Sequence, residues 1–543
     1  TTNGAGATTT FGYDAVGNTT SIGYPGGGPH ITRAFNTLEQ LASITDANGT
    51  TNFGYNPDGA PTTTGYANGT TATVAYNDAD QPTSSTLTKG ATGLGTIIYA
   101  RDNTGSLTGT TPTSGAPGAA TTYGYNTNQY LTGATVGTTT TSYGYDKTGN
   151  PITLGTTTQV FDPAGQVCWT TTTTVTSPTC GTPATGATKY EYDANGNRTG
   201  KTPGTGTATT YGYNAAGELT TIAGAVTANY AYDGDGLRTS KTTGGTTTKY
   251  TWDNRGKVPQ LLSDGTSCYV YGPTGAVVEQ TNVTGGTPTS YFTDAHGSTV
   301  ELTNTSGTVT GTYAYNPWGA VTAHTGAVTP FQFAGAFTDA ETGLLYLIHR
   351  YYDPVTALFL SIDPLVAKTL AAYGYAGNNP LNALDPLGLW GWGDTWALVG
   401  AIGIGIGVVA LAATGVGLIA DAGFLTAYVG ITAAETISAV SGVVALSAGT
   451  VGVGLDAAAC FGGDAGGCAA ATSNAIGTSI GGVGYYAGRS GYDGARSLGI
   501  GAAINSLPYS GFGFGLDVKG FIESCNRARE EDQGEPTNPG GNW

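Results

Sequence analysis

The sequence predicts a mainly β protein, and three observations lead to that prediction. An aromatic-x-aromatic-(Asp/Asn)-x-x-Gly-x-x-Thr unit recurs in copies such as FGYDAVGNTT, YGYDKTGNPIT and YAYDGDGLRT. The chain contains 33 Tyr and 90 Gly residues, and Thr is also abundant. Because Tyr and Thr suit pleated strands and Gly suits turns, we expect a structure of repeated strands and turns.

Each repeat unit predicts one β-hairpin. Two aromatic residues with one residue between them lie on the same face of a strand. Asp or Asn with Gly three residues later marks a turn, and the Thr-rich residues that follow form the return strand. One hairpin cannot bury its face alone, but stacked hairpins share a continuous core. The turn acids and amides are Asp14, Asn36, Asn56, Asn77, Asp102, Asn126, Asp146, Asp162, Asp193, Asn214, Asp233, Asp253, Asp294 and Asn316.

The overall charge argues against one class of partner. The net charge is −17 and the isoelectric point is about 4.4, so the chain does not attract nucleic acid through its overall field. The chain has no Met, and its start lacks the basic and apolar segments of a signal peptide. We therefore expect a piece of a longer protein, whose localisation cannot be read from its N-terminus.

The six cysteines predict a disulfide rather than a metal site. Cys168 and Cys180 flank a Thr-rich stretch that a disulfide would close as a hairpin, and Cys460 and Cys468 flank a second short loop. A disulfide would indicate export to an oxidising compartment; the alternative is unpaired cysteines that act as small apolar residues. No Cys-x-x-Cys pair occurs and the four histidines are distant from these cysteines, so no metal or cofactor is expected.

The repeats resemble the YD repeats of the Rhs (rearrangement hotspot) family, of the C components of bacterial ABC toxin complexes, and of teneurins. The resemblance covers about residues 10–330. It implies that the β-hairpins form a sheet that spirals into a hollow shell, which we assign to residues 1–329. It leaves open a YD-repeat surface or wall protein that carries no cargo.

The following segment, 330–389, resembles the Rhs repeat-associated core. That domain plugs one end of the shell and acts as an aspartyl autoprotease that cuts its own chain. The matching motifs, in order, are Pro-Phe-x-Phe-x-Gly (330–335), Glu-Thr-Gly-Leu (341–344), Arg-Tyr-Tyr-Asp-Pro (350–354), Phe-Leu-Ser-x-Asp-Pro (359–364), Tyr-x-Tyr (373–375), Asn-Asn-Pro-Leu-Asn (378–382) and Asp-Pro-Leu-Gly-Leu (385–389).

The resemblance implies a catalytic set within this segment. Asp363 and Asp385 match the two acids, Arg350 matches the required arginine, and the cut falls between Leu389 and Trp390. Hydrolysis by two carboxylates needs one ionised group to activate water and one protonated group to donate a proton. Because the two acids are 22 residues apart, the chain has to fold back to pair them.

Four further positions in the core segment are assigned other roles. Asp353 matches a motif position without a catalytic role, and we expect it and His349 to be structural. Ala357 and Leu358 stand where the family usually has Gly-Arg. This departure removes a positive charge that we expect near the acids, which would weaken local ion pairing and slow cleavage.

The segment 390–543 has the position of the family's variable toxin cargo. Residues 395–420, 436–455 and 465–488 are uncharged, and such runs are long enough to span a bilayer as helices. No His follows His349, and the segment has no Gly-x-Ser-x-Gly, His-Glu-x-x-His or P-loop motif. A membrane-active, α-rich cargo is therefore our first interpretation. A linker before a missing toxin, a degenerate cargo, and a helical bundle inside the shell are the alternatives.

The family resemblance implies an encapsulated toxin used in bacterial competition or host attack. Self-cleavage would free the cargo inside the shell, and the implied partners are a cognate immunity protein, delivery machinery and a target membrane. The expected location is secreted or on the surface of a bacterium. The alternative, a surface structural or adhesion protein, would leave the chain uncut.

Overall fold

Antiparallel hairpins account for nearly all of the secondary structure in the computed structural model, which describes residues 8–389. The described residues form 35 strands in three sheets, and the prediction of a mainly β fold is confirmed. No helix in this part of the chain is long and apolar enough to cross a bilayer. The predicted α-rich region, 390–543, and the Cys460–Cys468 loop lie outside the described residues.

The first sheet has 23 strands, each paired antiparallel with the next along the chain, and its two ends do not pair with each other. Its strands are β1 Thr10–Tyr13, β2 Thr19–Gly23, β3 His30–Phe35, β4 Leu41–Asp46, β5 Gly49–Tyr55, β6 Pro61–Gly65, β7 Thr70–Tyr76, β8 Pro82–Lys89, β9 Thr92–Arg101, β10 Leu107–Thr113, β11 Thr121–Tyr125, β12 Leu131–Val136, β13 Thr139–Tyr145, β14 Pro151–Leu154, β15 Thr157–Phe161, β16 Val167–Thr171, β17 Thr188–Tyr192, β18 Arg198–Thr202, β19 Thr209–Tyr213, β20 Leu219–Ala223, β21 Ala228–Tyr232, β22 Arg238–Thr243 and β23 Thr246–Lys249.

Two smaller sheets follow in the chain, with eight and four strands. The second sheet contains β24 Thr251–Asp253, β25 Gln260–Ser263, β26 Ser267–Tyr271, β27 Val277–Asn282, β28 Thr289–Thr293, β29 Thr299–Thr303, β30 Val309–Tyr315 and β31 Val321–Gly326. The third contains β32 Phe337–Thr338, β33 Leu345–Leu347, β34 Arg350–Asp353 and β35 Leu358–Phe359. Short helical turns occur at Pro25–Gly27, Phe333–Gly335 and Ala376–Asn378, and one α-helix, α1, at Val366–Thr369.

The repeat around Asp146 illustrates how the sequence forms each hairpin. The Asp146 carboxylate accepts the backbone N–H groups of Thr148 and Asn150, both at 2.9 Å. Gly149 takes a φ of +87°, which a residue with a side chain seldom adopts. The register of β13 against β14 shifts at Tyr145, whose hydroxyl donates to the Leu131 carbonyl at 2.7 Å. The predicted turn chemistry of the Asp and its Gly is thus confirmed in this repeat.

Packing between the sheets positions the core segment. Strands near the start of the first sheet pack against the second sheet, and the Tyr24 hydroxyl donates to the Tyr269 carbonyl at 2.7 Å. Leu219 and Tyr230 of β20 and β21 pack against Tyr346 and Leu360 of the core segment. The third sheet therefore lies against the wall formed by the first.

A disulfide joins Cys168 and Cys180, as the sequence predicts. It closes a loop in which the Trp169 indole donates to the Thr179 carbonyl at 2.9 Å. Trp169 is buried in a small cluster with Val160 and Ala187. The loop is thus fixed both by the covalent bond and by the buried indole.

Candidate active site

The site begins at the tight turn between β33 and β34. Leu347 pairs with Arg350, which leaves Ile348 and His349 as the turn. Ile348 has a φ of +59°, a conformation that is rare for a β-branched residue and costs about 1–3 kcal/mol. The turn directs the His349 N–H to the carbonyls of Leu347, at 2.7 Å, and Leu387, at 3.2 Å. The Asp385–Leu389 segment is thereby held against this turn.

Arg350 lies between the two predicted acids. Its Nη2 is 3.6 Å from Asp363 Oδ2 and 3.3 Å from Asp385 Oδ2. All three residues are buried, with 1–3% of their surface exposed. The Phe359 ring lies 3.6 Å from the guanidinium carbon, which fixes the plane of the cation. The structure thus brings together the three residues that the family resemblance singled out.

Asp363 is held by the segment that leads into α1. Its Oδ1 accepts the Leu365 N–H at 2.7 Å, and its Oδ2 accepts the Thr369 hydroxyl at 3.0 Å. Its own N–H donates to the Ala372 carbonyl at 2.8 Å. Both oxygens of the Asp363 side chain are therefore fixed by residues close in sequence, independently of Asp385.

Asp385 is joined directly to the predicted cleavage segment. Its Oδ1 accepts the Leu389 N–H at 2.9 Å, and Arg350 Nε donates to the Gly388 carbonyl. Gly388 has a φ of +66°, and a Cβ there would lie 2.7 Å from the Leu347 carbonyl oxygen. The peptide group between Gly388 and Leu389, one residue before the predicted cut, is therefore held by an arginine at its carbonyl and an acid at its N–H, whereas Trp390 itself lies outside the described residues.

Burial and charge act in opposite directions on Arg350. Burial lowers the pKa of its guanidinium, while the charges of Asp385 and Asp363 raise it. Arginine remains protonated in proteins, so the site holds one fixed cation facing two carboxyl groups. Among the described residues, Arg350 Nη1 has no hydrogen-bond partner, and no group of three His, Cys, Asp or Glu side chains is arranged to hold a metal ion.

Asp353 and Leu358 contact residues outside the cluster of Arg350, Asp363 and Asp385. Asp353 pairs with Arg198 of β18 at 3.0 Å. Leu358 packs against Val167, Tyr190 and Tyr373, and its backbone pairs with that of Asp353. Asp353 thus takes its cation from the repeat residue Arg198, and position 358 lies in an apolar cluster. Ala357, where the family usually has Gly, has a φ of +57°.

Sequence reasoning did not find a second ion-pair network that fixes β34 to the wall. Arg238 pairs with Asp339 at 2.8 Å and also donates to the Tyr351 hydroxyl at 3.1 Å. Lys241 lies 3.3 Å from Asp339 and 2.9 Å from Glu341. Tyr351 is the neighbour of the candidate catalytic Arg350, so this network helps to position the site.

The sequence contains one signal for these arginines. Arg198 and Arg238 stand at the same position of their repeats, five residues after the turn Asp, and each is the first residue of its strand. Both are fully buried. A charged residue that is expected on a buried face, in a chain with only 19 Lys and Arg, indicates a buried acidic partner elsewhere.

The hairpin wall and the core segment packed on it define a YD-repeat shell protein. The family model described as Teneurin YD-shell matches residues 60–381, more than half of the chain. The chain belongs to that family.

Curated relatives include bacterial toxins and nucleases. The chain is 30% identical over 220 residues to the tRNA3(Ser)-specific nuclease WapA of Bacillus spizizenii, and the matched region covers 37% of this chain and 9% of the relative. It is 47% identical over 60 residues to the probable deoxyribonuclease RhsB of Dickeya dadantii, covering 11% and 4%. It is 34% identical over 101 residues to the toxin protein Tse5 of Pseudomonas aeruginosa, covering 18% and 8%. The chain thus spans less than a tenth of each of these relatives.

Solved structures share the fold at low sequence identity. The Photorhabdus luminescens Tc holotoxin pore matches with a TM-score of 0.55 and 18% identity, over 70% of this chain and 21% of that one. The crystal structure of TcdB2-TccC3 gives the same TM-score and identity, over 70% and 22%. At this identity the likeness concerns the fold.

Proposed function

We propose that this chain is an Rhs-type polymorphic toxin that encloses its own cargo and releases it by self-cleavage. In this proposal residues 1–329 form a hollow YD-repeat shell, residues 330–389 form the plug and autoprotease, and residues 390–543 are the cargo. One observation carries the proposal: the buried Arg350 lies between Asp363 and Asp385, and Asp385 accepts a hydrogen bond from the Leu389 N–H.

Charge balance supports a shared proton in this cluster. Two ionised carboxylates and one guanidinium would leave a net negative charge in a buried site, which is costly. The cluster is neutral when one carboxyl group keeps a proton. The pair then has the two forms that peptide hydrolysis needs, one to accept a proton and one to donate it.

The chemical step follows from this arrangement. The ionised carboxylate takes a proton from water, and the oxygen of that water attacks the Leu389 carbonyl carbon. The protonated carboxyl group donates to the carbonyl oxygen. Collapse of the tetrahedral intermediate breaks the bond to Trp390, whose amine takes the proton that the first carboxyl group accepted from water. The second carboxyl group takes back its proton from the former carbonyl oxygen, so one water is consumed and two chain ends are formed. Arg350 holds the Gly388 carbonyl and both acids in place during this step.

The fate of the released cargo forms the second part of the proposal. The relatives named as nucleases and toxins support delivery to another cell, with secretion machinery and a cognate immunity protein as partners. For residues 390–543 we propose a membrane-active polypeptide. Expression of this segment in the bacterial cytoplasm and in the periplasm should depolarise the membrane and slow growth in at least one compartment; no effect in either would refute a pore.

Intact mass and gel electrophoresis of the purified chain test self-cleavage. The wild-type chain should be found as two fragments, and Asp363→Asn or Asp385→Asn should leave it whole. Asp353→Asn is the matched control, because Asp353 is also buried and paired with an arginine but lies outside the cluster. A wild-type chain that stays whole would favour the alternative, a surface structural or adhesion protein.

A further inference from the structure

The two acids of the cluster are held by different parts of the molecule. Asp385 Oδ1 bonds to the N–H of Leu389, within the segment that would be cut. Among the described residues, Asp363 makes no hydrogen bond to that segment and is held by Leu365 and Thr369, at the start and end of the turn that contains α1. The pair is therefore asymmetric, with one acid on the scaffold and one on the substrate segment.

Thr369 is the side chain that fixes the inner oxygen of Asp363. It is the last residue of α1, is 8% exposed, and its Oγ1 lies 3.0 Å from Asp363 Oδ2, the oxygen that also faces Arg350. Its contacts with the backbone of Ala371 are longer, at 3.5 Å. The hydroxyl proton is thus directed to the Asp363 side chain and orients the oxygen that faces Arg350.

We propose that Thr369 is a positioning residue for self-cleavage, whose hydroxyl holds the Asp363 carboxyl group in the orientation that proton transfer requires. The inference rests on the proposed self-cleavage and adds to it the hydroxyl that orients one of the two acids.

The test is the rate of self-cleavage after pulse labelling in cell-free synthesis. Thr369→Val removes the hydroxyl at nearly constant volume and should slow cleavage on the order of 10- to 100-fold, the range expected when a group that transfers protons is mispositioned. Thr369→Ser keeps the hydroxyl and should restore the rate to within a few-fold. Thr338→Val is the control, because the buried Thr338 hydroxyl has no hydrogen-bond partner among the described residues.

The outcomes separate this inference from the function on which it rests. If the wild-type chain and the Thr338→Val chain stay whole, self-cleavage itself is refuted. If both are cut and Thr369→Val is cut at the same rate, or Val and Ser slow cleavage equally, the role of Thr369 is refuted and self-cleavage stands. Thr369→Ala, with the smaller side chain, replaces Thr369→Val if limited proteolysis shows that the Val chain does not fold.

Discussion

Replacing Gly388 with Ala should slow self-cleavage because the new methyl group has no room. Gly388 has a φ of +66°, and a Cβ there would lie 2.7 Å from the Leu347 carbonyl oxygen and 3.1 Å from the Arg350 backbone nitrogen. Both atoms belong to the backbone of the β33–β34 turn, which is held by its strand pairing. The Gly388 segment therefore has to move away from Arg350.

The size of the effect follows from two costs. The left-handed conformation costs Ala about 1–2 kcal/mol, and relief of the close contact displaces the Gly388 carbonyl and the Leu389 amide by a fraction of an ångström. A misplacement of about 1 Å at a reacting group costs about 100-fold in rate. We therefore expect cleavage that is about 10- to 100-fold slower, measured as the disappearance of pulse-labelled full-length chain.

Gly343→Ala provides the matched control for this substitution. Gly343 has a similar φ of +71°, but nothing lies within 4 Å of the position that its Cβ would take. It therefore carries the same backbone strain without the clash, and cleavage should stay within a few-fold of the wild-type rate. Equal rates for the two variants would refute the claim that the position of the Gly388 segment against Arg350 controls the reaction.

Three further predictions concern stability. Burial raises the pKa of Glu301 from 4.5 to about 7, so its contribution to the free energy of unfolding is full below about pH 4.5 and is lost as pH rises through 7. In urea titrations, Glu301→Gln should therefore remove a fall in the free energy of unfolding of about 1 kcal/mol per pH unit between those two values. An unchanged pH dependence would contradict this. Arg238→Met should lower the free energy of unfolding by about 3–5 kcal/mol, because Asp339 loses its closer cation; an unchanged urea midpoint would refute it. Loss of the Cys168–Cys180 bond through paired Ser substitutions should destabilise its loop by about 3 kcal/mol, seen as faster amide exchange confined to that loop, and exchange at the wild-type rate would show that the bond is not needed there.

The hairpins could be predicted from the sequence because their chemistry is local. The Asp or Asn side chain of most turns accepts the backbone N–H groups two and four residues later, as Asp146 does with Thr148 and Asn150. Such contacts join residues no more than four positions apart and recur in most repeat units, so they can be predicted from the sequence alone. The positive φ of Ile348 was not foreseen, because it depends on how Leu387 lies against the turn.

The site could be predicted in part, and only through the family resemblance. Spacing alone did not show that Asp363 and Asp385 would meet at Arg350. The partners Arg198 of Asp353 and Arg238 of Asp339 are 155 and 101 residues away in sequence, so their pairing is fixed by the path of the wall rather than by any local pattern. Leu358 shows the same limit, since its apolar surroundings come from distant strands.

Cell-free synthesis of the chain in oxygen-18 water, followed by mass analysis of the fragments, is the sharpest test of hydrolysis at this site. We expect a cut between Leu389 and Trp390 and one heavy oxygen in the new carboxyl group of Leu389, because water is the nucleophile. The Asp385→Asn chain should show neither the cut nor the label. A whole wild-type chain, a cut at another bond, or a Leu389 terminus without heavy oxygen would contradict hydrolysis by the Asp363–Asp385 pair.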